Sequence, residues 1–300
     1  ECDACAWAKA KLGSAPKHSH RKATREGERL HFDVFTSSVR SHNGMKYLLV
    51  IADEYSDWIW AYGMKNKSET KHIVRLVVRR VERKTGREVE AYRCDGAGEN
   101  VLEDESLWSE KTCAHTPHQN GKSEKLGGVV WCGGQSFLHG GNLPEENWLH
   151  CAQAFVHVRN RLPTSKWPNR SPYEVFHALN DGHVNMHAQI ESFRRVGSLC
   201  FVTLPHNVRR QRGKNCKRSF RALMLGYSDQ DGQKGYRVQE LATGKIHTVS
   251  HAQLFKCYED KLVCDKSDDY DAWRDKKQRA LSKSTSKSTS KSASESSCSE

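Results

Sequence analysis

No run of apolar residues in this 300-residue chain approaches the roughly 20 needed to span a bilayer, which excludes a membrane-crossing helix. Its eleven cysteines are scattered through apolar runs with no signal peptide before them, a pattern expected of reduced thiols rather than of a secreted disulfide scaffold. The thiols read as reduced and the protein as intracellular. The chain does not begin with Met but with Glu1, inside a cysteine motif, and reads as a piece of something longer. Acidic residues are scarce relative to basic ones: 36 against 48, a formal charge of +12. Residues 259–300 hold nine of each sign, so the whole excess lies in residues 1–258. A basic folded body fits a polyanionic partner.

What is present supports a core. Apolar residues make up 36%, with eight Trp, nine Tyr and nine Phe. Residues 28–36 alternate as in a strand, with Leu30, Phe32 and Val34 on one face and His31, Asp33 and Phe35 on the other. Tyr47 to Ile51 reads as a buried strand and Trp58 to Tyr62 as a third. Apolar positions 73, 74, 77, 78 and 81 fit a helix from Ser68, its expected N-cap, to Gly86. Glu88 to Cys94 reads as a strand delivering Asp95 into a Gly-rich turn. A further helix is expected from Pro144 to Arg161. Strands, helix and strand in this order predict an α/β layer architecture.

From 196 to 258, short β-rich runs (199–204, 223–227, 236–241 and 246–249) separated by Gly, Asn and Asp predict a small β-barrel standing as its own unit. Residues 1–26 read as a basic linker, 166–195 as a second linker. Beyond 259 a serine and lysine repeat has almost nothing to bury and is expected to be disordered.

Three acids stand in different settings: Asp33 in LHFDVF, Asp95 in YRCDGAGEN and Glu124 after TPHQNGKS. A carboxylate within an apolar strand is costly unless charge is supplied to it. Carboxylates converging from strand, strand end and helix suit Mg²⁺ or Mn²⁺, the ions of phosphoryl transfer. Asp53 and Glu54 compete for these roles, with a turn or salt-bridge function as the plainer alternative, and Glu99 is a reserve carboxylate.

In order along residues 1 to about 258 stand CDAC, LHFDVF, GMKYLLVIADEYSDWIWAY, RCDGAGEN, TPHQNGKSEK, NLPEENW, NRLPT, SPYEVF and LGYSDQDGQKGYRV. With these pieces the chain resembles the integrase region of a copia-type retrotransposon polyprotein. The resemblance implies an RNase H-like catalytic core over residues 27–165, a mixed sheet with flanking helices, and an SH3-like barrel over 196–258. It implies that Asp33, Asp95 and Glu124 bind two Mg²⁺ or Mn²⁺ ions for 3′-end processing and strand transfer. The expected partner is DNA, both element ends and target, with a homo-oligomer holding the ends and nuclear import serving access.

Within TPHQNGKSEK, Gln119, Asn120, Lys122 and Lys125 are expected at the nucleic acid. Cys2 and Cys5 have the spacing of half a zinc site, which in the family two upstream histidines complete, while His18 and His20 are a substitute pair. Between 209 and 221 stand seven Lys/Arg and no acid, among them Arg209, Arg210 and Arg212, which predicts a hairpin following a phosphate backbone.

Two departures favour an alternative, a degenerate relic that binds DNA without catalysis. Only 28 residues separate Asp95 from Glu124, short for the family and by enough to remove a short strand near Trp108 to Lys111 at the sheet edge. The helix after Glu124 also contains Gly127, Gly128, Gly133 and Gly134, each costing about 1 kcal/mol relative to Ala. On that account the helix bearing Glu124 is expected to be weak.

Overall fold

The computed structural model describes residues 22–94, 108–111, 121–177, 186–212, 217–228 and 235–262. Two five-stranded sheets and six α-helices are formed among them.

The first sheet has the order β3-β2-β1-β4-β5, from β1 (Arg29–Thr36), β2 (Tyr47–Asp53), β3 (Ile59–Met64), β4 (Ala91–Cys94) and β5 (Trp108–Lys111). β1 pairs antiparallel with β2 and parallel with β4, so the sheet is mixed, as expected. Its two faces are filled separately. On one, Leu30, Phe32, Leu49, Ile51 and Tyr92 meet Val74, Val77, Val78 and Val81 of α1 (Thr70–Thr85). On the other, Leu48, Val50, Ala52, Ile59 and Ala61 meet Leu126 and Val130 of α2 (Gly121–Gly140) and Trp148, Leu149, Ala152 and Val156 of α3 (Trp148–Arg159). Cover on both faces explains why β2 reads as an unbroken apolar run.

Helix α1 ends at Gly86 as expected, but Ser68 is not its cap. A 3₁₀ turn, Lys67–Glu69, precedes it, and the Glu69 carboxylate reaches back to accept the backbone N–H of Asn66 (2.9 Å) and of Lys65 (3.1 Å). A carboxylate that satisfies two otherwise orphaned donors serves this end better than a serine hydroxyl, which would satisfy one.

Helix α2 runs for 20 residues despite its glycines, which corrects the expectation of a weak helix. A Cβ on Gly134 would come within 2.9 Å of the Ala152 backbone, and Cβ atoms on Gly127 and Gly133 would collide with the rings of Phe35 and Phe155. The glycines let α2 lie close against β1 and α3, and contact there offsets their poor helix propensity. The strand expected to be missing is present: β5 pairs in parallel with β4 from Ala91↔Trp108 to Cys94↔Lys111.

The second sheet is antiparallel, ordered β10-β6-β7-β8-β9, from β6 (Ser198–Thr203), β7 (Ser219–Tyr227), β8 (Tyr236–Glu240), β9 (Ile246–Val249) and β10 (Leu254–Leu262). Among the described residues β9 and β10 do not pair, so the expected barrel is an open sheet. The reason lies in its covered face: Cys200, Val202, Leu223, Leu225 and Val238 form one core with Leu138 and Leu143 near the end of α2 and Cys151 and Ala154 of α3. Helices fill the space that closure would otherwise fill. Helix α3 is therefore buried on two sides, between the two sheets. Two short helices, α4 (Pro172–His177) and α5 (Met186–Glu191), lie between α3 and β6.

Polar side chains at α3 also line the free edge of β3. The Asn160 amide accepts the N–H of Ile59 (3.0 Å) and donates to its C=O (2.7 Å), and Gln153 donates to the C=O of Ala61 (3.1 Å).

Candidate nucleic-acid site

Strand alternation sets Arg29, His31, Asp33 and Phe35 along the face of β1 opposite α1. Asp33 is half-buried beside Val50 of β2, and one of its carboxylate oxygens accepts the backbone N–H of Val34 at 2.8 Å. Two residues on, Phe35 packs against Gly127 of α2. Glu124 precedes Gly127 by one helical turn, so the glycine contact draws the start of α2 toward the strand that carries Asp33. Glu124 and Lys122 are described by backbone alone. Lys125, next on the helix, is exposed.

β4 ends at Cys94. Asp95, Glu99, Gln119, Asn120, Cys2, Cys5, His18 and His20 lie outside the described residues. Among the described residues no group of three or more His, Cys, Asp or Glu side chains gathers as a metal cluster. No described helix is long and apolar enough to cross a membrane.

The competing acids are built into the frame. Asp53 is fully buried, and it accepts the N–H of Gly27 (2.9 Å), the N–H of Ser56 (2.8 Å) and the hydroxyl of Ser56 (2.6 Å). Glu54 accepts from Arg29 and contacts His31 Nε2, each at 3.0 Å. Burial pushes the Glu54 pKa up, but His31 and Arg29 outweigh it and bring it down to about 2. Lys166 donates to the carbonyls of Glu54 (2.8 Å) and Tyr55 (2.6 Å), clamping the turn between β2 and β3. The turn or salt-bridge alternative for Asp53 and Glu54 is the one that the structure forms.

The basic run after β6 does not begin as a hairpin. Its first part forms α6 (His206–Arg212), with Pro205 just before its first turn and accepting the N–H of Arg209 at 3.1 Å. Arg209 is half-buried, Arg210 is exposed, and Arg212 is described by backbone alone. Arg209, Arg210 and Arg212 thus lie on the connection between β6 and β7, and Arg221 lies in β7.

A polar seam runs between α3, β8 and the β1–β2 loop. His150 of α3 is 5% exposed, and burial together with the charges of Arg237 and His42 lowers its pKa to about 3. Arg237 donates to Gln153, and Gln239 contacts His42 at 3.3 Å. Sequence reading missed this seam, because its members come from the β1–β2 loop, α3 and β8.

No family model matches the chain. Over 242 residues it is 25% identical to "Retrovirus-related Pol polyprotein from transposon RE1" of Arabidopsis thaliana, covering 77% of this chain and 15% of that one. It is also 25% identical over 253 residues to "Retrovirus-related Pol polyprotein from transposon TNT 1-94" of Nicotiana tabacum, covering 82% and 18%. The chain thus spans less than a fifth of the length of the curated relatives it matches. Among solved structures it aligns with a chain of a simian T-cell lymphotropic virus intasome (TM-score 0.46, 14% identity, 86% of this chain and 87% of that one). It also aligns with the HTLV-2 integrase catalytic core domain in complex with magnesium (TM-score 0.38, 13% identity, 52% and 100%). In sequence, the relatives of this chain are retrovirus-related Pol polyproteins of transposons, one segment of which it resembles.

Proposed function

We propose that the chain is an integrase-type polynucleotidyl transferase of a copia-like element, joining a DNA 3′-hydroxyl to a target phosphate with Asp33, Asp95 and Glu124 as its carboxylates. One observation carries the reading. β1 and β4 run parallel with a constant offset of 62, from Arg29↔Ala91 through His31↔Arg93. Asp33 and Asp95 differ by the same 62, which supports reading them as a pair; Asp95 itself lies outside the described residues. Neighbouring strands are about 4.8 Å apart, a separation across which two carboxylates can share a cation.

The donor set fits hard divalent cations, since all three groups are carboxylates. Asp33, Asp95 and Glu124 would hold two Mg²⁺ or Mn²⁺ ions, which when bound offset phosphate charge and favour ionisation of a coordinated water or hydroxyl. The chain's own part is positioning. The Val34 N–H fixes the Asp33 carboxyl, and the Gly127–Phe35 contact holds the start of α2 near β1. Exposed Lys125 and Arg210 supply positive charge for phosphates, and a homo-oligomer would hold two DNA ends.

The short Asp95–Glu124 spacing favours the second reading, a chain that binds DNA without joining it. Formation of β5 and α2 supports the first. The test incubates the purified chain with Mg²⁺, a duplex bearing a free 3′-hydroxyl and a target duplex. Strand-transfer products that Asp33→Asn abolishes, with salt-dependent DNA binding retained, are the expected result. DNA binding by the unaltered chain without any joined product would overturn it in favour of the second reading.

A further inference from the structure

Two thiols meet at the edge of the second sheet. Cys200 of β6 and Cys257 of β10 are directly opposed in the antiparallel register, and their sulfurs lie 3.2 Å apart. Opposed residues of antiparallel strands have Cα atoms about 4.5–5.5 Å apart, within the span of a disulfide. The strands already hold the geometry, and the sulfurs need to close by only about 1 Å. Burial differs across the pair: Cys200 is fully buried in the core shared with α3, whereas Cys257 is half-buried.

We propose that Cys200 and Cys257 form a reversible disulfide, oxidised by a small-molecule disulfide such as oxidised glutathione. The difference in burial sets the sequence of steps. The Cys257 thiolate attacks one sulfur of the glutathione disulfide, forming a mixed disulfide and expelling one glutathione thiolate. Cys200 then loses its proton, attacks the Cys257 sulfur and expels the second glutathione. Two protein thiols and one glutathione disulfide become one protein disulfide and two glutathione thiols, with two electrons passing to glutathione.

The bond would add a covalent tie to an edge strand with an irregular register. Among the described residues β10 is an edge strand joined to β6 alone, and its pairing is broken by irregularities between Leu254 and Lys256 and between Tyr258 and Leu262. Cys257 lies in the regular stretch between them. The cross-link joins positions 57 apart in the chain, a long closure that removes freedom from the unfolded state.

The test treats the full chain with oxidised glutathione and maps its disulfides by peptide mass. A Cys200–Cys257 cross-link is expected, with two thiols lost per chain, slower amide exchange in β10 and a Tm higher by roughly 5 °C or more, all reversed by dithiothreitol. Cys257→Ser, at a half-buried position, should abolish the cross-link and the Tm rise. Cys200→Ala should do the same. A Cys257 that stops at the mixed glutathione disulfide, or pairs with a different cysteine while Cys200 stays reduced, overturns the proposal.

Discussion

Helices α1 and α3 flank the same sheet, yet they are built in opposite ways. α1 buries one stripe, Val74, Val77, Val78 and Val81, and turns Arg75, Arg79, Arg80 and Arg83 outward. α3 buries Trp148, Leu149, Ala152 and Val156 on one side and Cys151 and Ala154 on the other, leaving no polar stripe. A one-sided helix announces in its sequence that one partner lies beneath it. A two-sided helix announces only that it is buried, and its second partner has to be found elsewhere in the chain.

The sharpest way to break this contrast is to truncate one side chain from each helix. Trp148 is 3% exposed and its indole donates to the Val39 carbonyl at 3.0 Å, so Trp148→Ala should cost about 3–5 kcal/mol in chemical denaturation. Leu76→Ala on α1, where the side chain is 39% exposed, should change stability by no more than about 0.5 kcal/mol. Similar losses from both would mean that α3 is not the shared support.

A second comparison uses two glycines of α2, of which Gly134 faces α3 and Gly128 faces open space. Gly134→Ala should destabilise by about 1–3 kcal/mol, since the new methyl group meets the Ala152 backbone. Gly128 has nothing within 4 Å of an added Cβ, so Gly128→Ala should stabilise by up to about 1 kcal/mol. Thermal melts of the two variants should move in opposite directions.

The smallest effect is one of pH. His150 has its pKa lowered to about 3 from 6.5, so the unfolded chain takes up a proton first and stability falls as pH drops below 6.5, continuing toward 3. At pH 6 the loss should be about 1 kcal/mol. Glu54, lowered to about 2 from 4.5, acts in the same direction but only as pH falls from 4.5 toward 2. A His150→Gln variant whose stability between pH 7 and 6 declines as steeply as that of the unaltered chain would remove the seam as the source.

Much of the first sheet was legible because β1 to β4 each carry their own signal, as β5 does not. The alternation of 28–36 and the apolar run of 47–51 fall on β1 and β2, and the 3.6-residue period falls on α1. The glycines of α2 were misread for a physical reason: helix propensity counts what a residue costs alone, while Gly134 is present for what approaches it. The open second sheet was read as a barrel because four of its strands are legible, whereas the helices that cover it are distant in sequence. LFKCYEDKL, the strand bearing Cys257, lacks clean alternation because it is an irregular edge. At the candidate site, Asp33 was legible from its apolar setting, and the roles of Asp53 and Glu54 rest on partners as far away as Gly27 and Lys166.

The amide of Asn160 has a consequence beyond holding α3 in place. By engaging both the N–H and the C=O of Ile59, and with Gln153 on Ala61, it occupies positions at the open edge of β3 where the backbone of another chain would dock. A bare strand edge recruits strands from other molecules and is a starting point for aggregation. Here two side-chain amides act as a terminating strand, so the sheet resists intermolecular growth at that border without a charge or a proline there.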